Sequence, residues 1–176
     1  MIQVTDQIVL KRATLEDAAD IFHAIDDNRD SLRVWLPFVD ATQRQEDTQA
    51  FLESTKQTGE LTYVIHYEGT FAGLIGLKTI DEANRKTEIG YWLVPAFEGK
   101  GLITRSCTKL IGYAFEELKL NRILIQVAVG NLKSRRIPAR LGFLEEGIER
   151  DGEYLVSGYT DIVRYSLLKR EYDESY

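Results

Sequence analysis

Apolar residues recur at helical spacing in two segments of the N-terminal third. An alternating stretch at residues 8–12 predicts a strand, and Thr14 then provides a helix-capping side chain before a predicted helix that ends near residue 28. A second amphipathic helix is predicted over residues 43–56. Between these helices, Pro37 and a cluster of aromatic residues predict an irregular segment.

From residue 61 onward the apolar period changes to two, which is typical of β-strands. Glu68 and Gly69 form a turn signal between two such stretches, so those two strands are expected to pair as a hairpin. One later stretch is continuously apolar, as in a strand that is covered on both faces. The predicted strands are residues 61–67, 71–80, 87–95, 122–129, 143–149 and 159–168.

Two more helices are predicted among the strands. One follows a glycine-containing loop and carries Cys107 on its apolar face, and the other spans residues 132–141 with Gly142 after its end. The resulting element order, β-α-α-β-β-β-α-β-α-β-β, predicts a mixed α/β domain with an antiparallel meander and one or two parallel crossovers. A length of 176 residues fits a single domain over residues 1–176.

Composition and charge narrow the function classes. The chain has 22 basic and 28 acidic residues, a net charge of −6, which argues against nonspecific binding to nucleic acid or to an anionic membrane. Cys107 is the single cysteine and His23 and His66 are the two histidines, so an intrachain disulfide is excluded and no metal is expected. No stretch has the length of a membrane helix and no secretory signal is recognisable, so we expect a cytoplasmic protein.

The candidate chemistry starts at Gly99-Lys100-Gly101, which lies between a predicted strand and a predicted helix. Glycines allow a ligand to approach the backbone, and the first turn of a helix offers unpaired N–H groups to an anion. Lys100 adds a positive charge and Thr104 a hydroxyl donor, so a phosphate or pyrophosphate site is indicated. A tight turn without a ligand explains the two glycines equally well.

The context of this loop resembles the GNAT superfamily of acetyl-CoA-dependent N-acetyltransferases. The loop of that family follows the pattern Gln/Arg-x-x-Gly-x-Gly/Ala, and residues 96–101 match it at both glycines, while Ala96 replaces the Gln or Arg. The stretch EIGYWLVP precedes the loop and NLKSRRIPARLGF follows it. The resemblance extends from about residue 8 to about residue 168, and it implies the GNAT fold, a central mixed and mostly antiparallel sheet flanked by helices.

The resemblance also implies where acetyl-CoA binds. In the family, a bulged strand before the loop contributes backbone groups that hold the pantetheine and polarise the thioester carbonyl. Because Ala96 has no polar side chain, the pyrophosphate site here must rely on backbone N–H groups and Lys100. The implied contacts to acetyl-CoA are Trp92, Leu93, Val94, Gly99, Lys100, Gly101, Leu102, Ile103, Thr104, Asn131 and Ser134.

Three further stretches are similar to the Rim-type enzymes, which acetylate the N-terminal amine of ribosomal proteins. They are NRDSLRVWLPF at residues 28–38, NLKSRRIPARLGF at residues 131–143 and EEGIERDGEY at residues 145–154. Pro138 departs from the Rim-type pattern and is expected to kink or shorten its helix. The similarity implies a protein N-terminal amine as acceptor. The implied acceptor wall consists of Trp35, Leu36, Phe38 and Tyr154.

The Rim-type similarity implies three catalytic candidates. Ser134 matches a serine that gives a proton to the leaving thiolate, and a helix-capping serine is an equal interpretation. Glu153 aligns with the acid proposed as general base, and Glu88 ranks second because other members of the superfamily carry a base on that strand. For each glutamate the alternative is an ordinary solvated carboxylate.

Two other functions are compatible with the sequence. The same chemistry could acetylate a small amine such as a polyamine, an amino acid or an antibiotic, and a catalytically silent protein could keep the fold and bind CoA. The segment around Trp35 and the C-terminal strand could also support a homodimer or a higher oligomer.

Overall fold

The computed structural model describes residues 1–175, whose strands form one mixed sheet. The strands are β1 (Ile2–Gln3), β2 (Ile8–Arg12), β3 (Leu61–Tyr67), β4 (Thr70–Asp81), β5 (Lys86–Leu93), β6 (Arg122–Ala128), β7 (Leu144–Leu155) and β8 (Gly158–Leu168). Their order across the sheet is β1-β2-β3-β4-β5-β6-β8-β7. Neighbouring strands are antiparallel except β5 and β6, which are parallel.

Helices flank this sheet on both sides. The α-helices are α1 (Ala18–Asp26), α2 (Arg29–Leu32), α3 (Gln45–Thr58), α4 (Leu102–Gly112), α5 (Leu132–Arg140) and α6 (Lys169–Ser175). The arrangement confirms the predicted mixed α/β fold with a mostly antiparallel sheet. The expectation of a single domain over residues 1–176 stays a prediction.

Two hydrophobic cores lie on opposite faces of the sheet. On one face Cys107 of α4 belongs to the same buried cluster as Ile89 of β5. On the other face Ile21 of α1 and Leu52 of α3 share a cluster with Trp92 of β5. Because side chains alternate along a strand, Ile89 and Trp92 point to different faces, and β5 contributes to both cores.

The structure contains short elements that the sequence does not predict, and one predicted helix ends differently. Strand β1 and helices α2 and α6 are not indicated by the sequence pattern, and α2 lies in the segment predicted to be irregular. The predicted helix that carries Cys107 is α-helical only to Gly112 and then continues as one π-helical turn, Tyr113–Glu117. Within residues 1–175, no helix is both long enough and apolar enough to cross a bilayer.

Pro138 lies inside helix α5, where the sequence predicts a kink or a shortening of the helix. Helix α5 continues past this buried proline to Arg140, so the predicted shortening does not occur. Proline has no N–H, however, and the carbonyl of Ser134, one turn earlier, therefore lacks its usual helical donor. The Tyr91 hydroxyl lies 3.4 Å from that carbonyl oxygen and donates to it.

Candidate active site

Strands β5 and β6 separate from each other partway along their length. Their parallel register ends with Glu88 opposite Leu124. Beyond this pair, β5 continues to Leu93 and β6 to Ala128 without pairing with each other. The separation leaves backbone donors and acceptors on two facing strand edges, where they are available to a ligand.

The loop that contains Gly99 and Gly101 follows β5 after a short 3-10 turn, Pro95–Phe97, and has the geometry of an anion site. Gly99 and Gly101 have φ angles of +76° and +73°, a backbone region that favours glycine. The space at Gly99 is open, since a Cβ there would meet no heavy atom within 4 Å. Helix α4 starts at Leu102 without a side-chain cap, so its first N–H groups are available to an anion. These features fit the pyrophosphate of CoA.

The other predicted cofactor residues of this loop differ in how they can contribute. The Lys100 ammonium lies 4.8 Å from the ring centroid of Tyr67 and 5.6 Å from that of Phe97, so cation–π contacts hold its charge beside the loop. Leu102 and Ile103 are buried in the core. Their side chains are thus committed to packing, and only their backbone N–H groups can meet the cofactor.

The end of β5 is regular, and the bulge that the resemblance implies is not present in its pairing with β4. The register runs without a shift from Glu88–Lys78 to Leu93–Gly73. The Val94 N–H donates to the Ala72 carbonyl at 2.9 Å. Because N–H groups alternate between the two edges of a strand, the N–H of Leu93 is directed to the β6 side, into the opening. The opening therefore arises from the separation of β5 and β6.

Ser134 lies in the first turn of α5 and contacts β5 through a tyrosine. The Tyr91 hydroxyl is 3.1 Å from Ser134 Oγ, and burial raises the pKa of that tyrosine, so it stays protonated at neutral pH. The Asn131 side chain accepts a hydrogen bond of 3.2 Å from the Ser134 N–H. Asn131 is thus the N-cap of α5.

Glu88, the second candidate base, is held by two neighbours at the point where β5 and β6 separate. Its Oε1 atom is 3.0 Å from the Lys78 ammonium of the neighbouring strand. Its Oε2 atom accepts a hydrogen bond of 2.7 Å from Gln126 of β6. Both oxygens of the Glu88 carboxylate therefore have partners in this arrangement.

Glu153, the first candidate base, follows a bulge in β7. Glu149 pairs with Ile162 and Glu153 pairs with Thr160, so β7 has two more residues than β8 between these pairs. Gly152 packs tightly in this bulge, since a Cβ there would lie 2.8 Å from Ile162 Cγ1. A bulge of this kind redirects the side chains that follow it.

The environment of Glu153 differs from that of Glu88. Its side chain is half-buried and makes no hydrogen bond or ion pair with another described residue. Burial raises the pKa of Glu153 above its ordinary value, Lys78 lowers that pKa, and Glu88 raises it. A half-buried carboxylate without a partner is the better suited of the two to accept a proton.

An open groove of about 230 Å³ lies between the loop after α2 and the tip of the β7–β8 hairpin. It contains Leu36 and Tyr154 of the predicted acceptor wall. Trp35 lies nearby against the β6–α5 turn, since a Cβ at Gly130 would be 3.3 Å from its indole ring. Phe38, the remaining member, is exposed and does not line the groove. The groove lining consists of Arg33, Leu36, Pro37, Asp40, Tyr154, Leu155 and Val156.

Sequence reasoning did not find several residues of this site. The sequence pattern gives Tyr91 no distinction from the other apolar positions of its strand, and Gln126 lies within an apolar run. Lys78 offered a signal, because it is the first charge after the apolar residues 71–77. Its contact with Glu88 depends on the register of two strands, which single-strand patterns do not specify.

A family model described as an acetyltransferase (GNAT) domain matches residues 7–144. The chain belongs to the GNAT family. This assignment confirms the predicted resemblance, the fold and the enzyme class, an N-acetyltransferase. Among residues 1–175 of this GNAT enzyme, no group of three or more His, Cys, Asp or Glu side chains could hold a metal ion.

Relatives of this GNAT enzyme include acetyltransferases of proteins and of a polyamine. The chain is 43% identical over 176 residues to Bacillus subtilis (strain 168) YdaF, covering 97% of this chain and 96% of YdaF, whose name assigns it provisionally to ribosomal N-acetylation. It is 28% identical over 158 residues to spermidine N(1)-acetyltransferase of Escherichia coli (strain K12), covering 85% and 80% of the two chains. The structure of RimL, a ribosomal L7/L12 alpha-N-protein acetyltransferase in complex with coenzyme A, has a TM-score of 0.90 at 25% identity, covering 95% and 97%.

Proposed function

We propose that this GNAT enzyme transfers the acetyl group of acetyl-CoA to the N-terminal amine of a protein, with a ribosomal protein as the first acceptor to test. The supporting observation is the lining of the acceptor groove. Its two charged side chains, Arg33 and Asp40, bind each other through two hydrogen bonds of 2.9 and 2.8 Å. The other lining residues are apolar or tyrosine. A neutral, mostly apolar groove suits a peptide chain.

The same lining argues against a polyamine as the preferred acceptor. A polyamine carries several ammonium groups, and each needs a carboxylate or an equivalent acceptor when it leaves water. In the groove the Asp40 carboxylate is already neutralised by Arg33, which holds the pKa of that carboxyl below its usual range. The names of YdaF and RimL support the protein acceptor, and the spermidine relative makes a polyamine the alternative that an assay must include.

The residues around the β5–β6 opening would hold acetyl-CoA. Gly99, Gly101 and the first turn of α4 would bind the pyrophosphate, with the Lys100 charge beside them. The Leu93 N–H would donate to the thioester carbonyl oxygen and stabilise the negative charge that develops there. The bound co-substrate supplies an activated acetyl group.

The proton transfers are assigned to the two sides of the same opening. The Glu153 carboxylate takes a proton from the acceptor ammonium, and the freed nitrogen lone pair attacks the thioester carbonyl carbon. As the C–S bond breaks, the Ser134 hydroxyl gives its proton to the departing sulfur and takes up the second proton that the attacking nitrogen loses, so the serine is regenerated. Tyr91 fixes the position of that hydroxyl. Glu88 takes no part in proton transfer, because Lys78 and Gln126 occupy its oxygens.

This proposal predicts different effects for the two glutamates. Glu153→Gln keeps the size of the side chain but removes the base, and we expect kcat to fall by roughly 100-fold or more. Glu88→Gln is the matched control, and we expect kcat at neutral pH to remain within about tenfold of the wild type. The measurement is CoA release at saturating acetyl-CoA with an N-terminal peptide. A large loss in Glu88→Gln with activity retained in Glu153→Gln contradicts the assignment.

The acceptor is tested with a panel at fixed acetyl-CoA concentration. Peptides with a free N-terminus should be turned over with a higher kcat/KM than spermidine, and the same peptides with a blocked N-terminus should be inert. Higher kcat/KM for spermidine favours the small-amine function instead. Binding of CoA without turnover of any amine favours a silent CoA-binding protein. A protein acceptor of this kind is consistent with the cytoplasmic location that we also propose.

A further inference from the structure

The side chain of Lys78 extends from β4 over strand β5, on the face of the sheet that carries Glu88. Lys78 and Glu88 are directly opposite each other on β4 and β5, and their charged atoms are 3.0 Å apart. Gln126 of β6 holds the other oxygen of the same carboxylate at 2.7 Å. A polar cluster thus connects three strands at the start of the β5–β6 opening.

Gly90 has no side chain, and the side chain of Lys78 occupies the space above it. A Cβ at Gly90 would lie 2.4 Å from Lys78 Cε and 2.9 Å from Lys78 Nζ, and its three nearest atoms all belong to this lysine. The backbone of Gly90 does not have a positive φ, so its conformation does not require glycine. The glycine is explained by the path of the lysine above it.

The positive charge of Lys78 acts on both candidate bases, Glu88 and Glu153. Burial raises the pKa of Glu153, the positive charge of Lys78 lowers that pKa, and the negative charge of Glu88 raises it. On the other packed strands, Thr160 of β8 and Gln126 of β6 carry no charge. The charged residue opposite Gln126, Arg164 of β8, is paired with Glu149 at 3.3 Å. Without the ammonium, two carboxylates would share one side of the opening, and repulsion would favour protonation of one of them.

We propose that Lys78 is a positioning residue. It holds Glu88 in an ion pair and leaves Glu153 as the carboxylate that accepts the proton, and the absence of a side chain at Gly90 gives Lys78 the room to do so. The inference rests on the proposed function, because it assigns a role to a residue that supports the proposed base. Lys78 contacts neither the acceptor nor acetyl-CoA in this scheme. It acts through the charge and the position of the two glutamates.

The proposal predicts opposite pH shifts for two variants. Lys78→Met removes the ammonium, so the pKa of Glu153 rises and the acidic limb of the kcat/KM profile moves to higher pH. Glu88→Gln removes the repelling charge and frees Lys78, so the same limb moves to lower pH. Lys78→Arg keeps the charge, and its profile should return toward that of the wild type. The KM for acetyl-CoA should not change in any of the three.

Gly90→Ala tests the path of the lysine without changing any charge. The added methyl group must displace the end of the Lys78 side chain, which is flexible, so the fold should tolerate the substitution. We expect Gly90→Ala to shift the acidic limb in the same direction as Lys78→Met. In the Lys78→Met background the same substitution should add nothing, because the side chain that it displaces is gone.

A second readout separates this inference from the proposed function. Carbon-13 NMR of glutamate carboxyls in the free protein follows the titration of Glu153 without any acceptor, with Glu153→Gln identifying its signal. In folded Lys78→Met the Glu153 midpoint should move to higher pH. An unchanged midpoint in folded Lys78→Met overturns the inference even if peptide acetylation is fully active. An additive effect of Gly90→Ala in the Lys78→Met background overturns the role given to Gly90. If no amine is acetylated but the midpoint moves, the proposed function fails and the charge arrangement stands.

Discussion

Replacing Gly73 with alanine should damage the acetyl-CoA side of the active site as well as the fold. Gly73 of β4 pairs with Leu93 of β5 and has a φ of +155°. A Cβ there would lie 2.2 Å from the Trp92 carbonyl oxygen and 2.9 Å from Leu93 Cα. Both atoms belong to the backbone that we propose to face the thioester. A backbone atom cannot relieve the clash by a change of rotamer, as a side chain can.

The size of the effect follows from these distances. Ordinary van der Waals contact begins at 3.4 Å, so the Trp92 carbonyl must retreat by about 1.2 Å from its 2.2 Å position. Overpacking of this kind costs about 2–3 kcal/mol of unfolding free energy. A displacement of about 1 Å at groups that position a substrate lowers kcat/KM by roughly 100-fold. We therefore expect Gly73→Ala to show both losses.

Gly76→Ala is the matched control in the same strand. Its Cβ would lie 2.7 Å from the Leu61 carbonyl oxygen, so the strain falls on β3, away from the opening. Urea unfolding should show a comparable loss of stability, while kcat/KM for acetyl-CoA stays close to wild type below the unfolding transition. Wild-type kinetics in folded Gly73→Ala, or an equal kinetic loss in both variants, refutes the importance given to the β5 backbone.

Two further predictions concern α5 and the edge of the sheet. Tyr91→Phe removes the hydroxyl 3.1 Å from Ser134 Oγ, so kcat should fall with little change in KM, and the effect should vanish in a Ser134→Ala background. Glu146 accepts two hydrogen bonds from Arg122 and one from Ser166, and these hold its pKa at about 2. Because the folded pKa is below the ordinary one, its contribution is present above the ordinary pKa and is lost as pH falls toward 2. Glu146→Gln should thus cost about 1 kcal/mol in urea unfolding at pH 7, an amount reduced for its exposure, and almost nothing near pH 2; an equal cost at both pH values contradicts this reasoning.

The sequence pattern predicts the strands near the site well because their apolar residues face packed cores. In residues 61–67 and 87–95 the apolar positions alternate or are frequent enough to predict strands. The structure has β3 and β5 there. The second half of β7 is harder to predict, because it is mostly exposed and charged. Its bulge also breaks the alternation that marks a strand, and that bulge precedes Glu153.

The arrangement of the two glutamates could not be predicted from either segment alone. Glu88 and Glu153 are far apart in sequence, and their difference arises from cross-strand neighbours such as Lys78 and Gln126. Strand register sets those contacts, and register depends on the whole sheet. The loop that we propose to bind the pyrophosphate is different, because its two glycines and the helix that follows are adjacent in the chain and can be recognised from the sequence alone.

The most direct test of this account is the position of the acetyl group on a peptide product. The peptide carries both a free N-terminus and an internal lysine, and mass spectrometry with fragmentation locates the acetyl group after incubation with acetyl-CoA. We predict acetylation of the N-terminal nitrogen, with one CoA released for each acetyl-peptide formed and with loss of the product in Glu153→Gln. Acetylation of the lysine alone, or of spermidine while every peptide stays unmodified, would contradict the account.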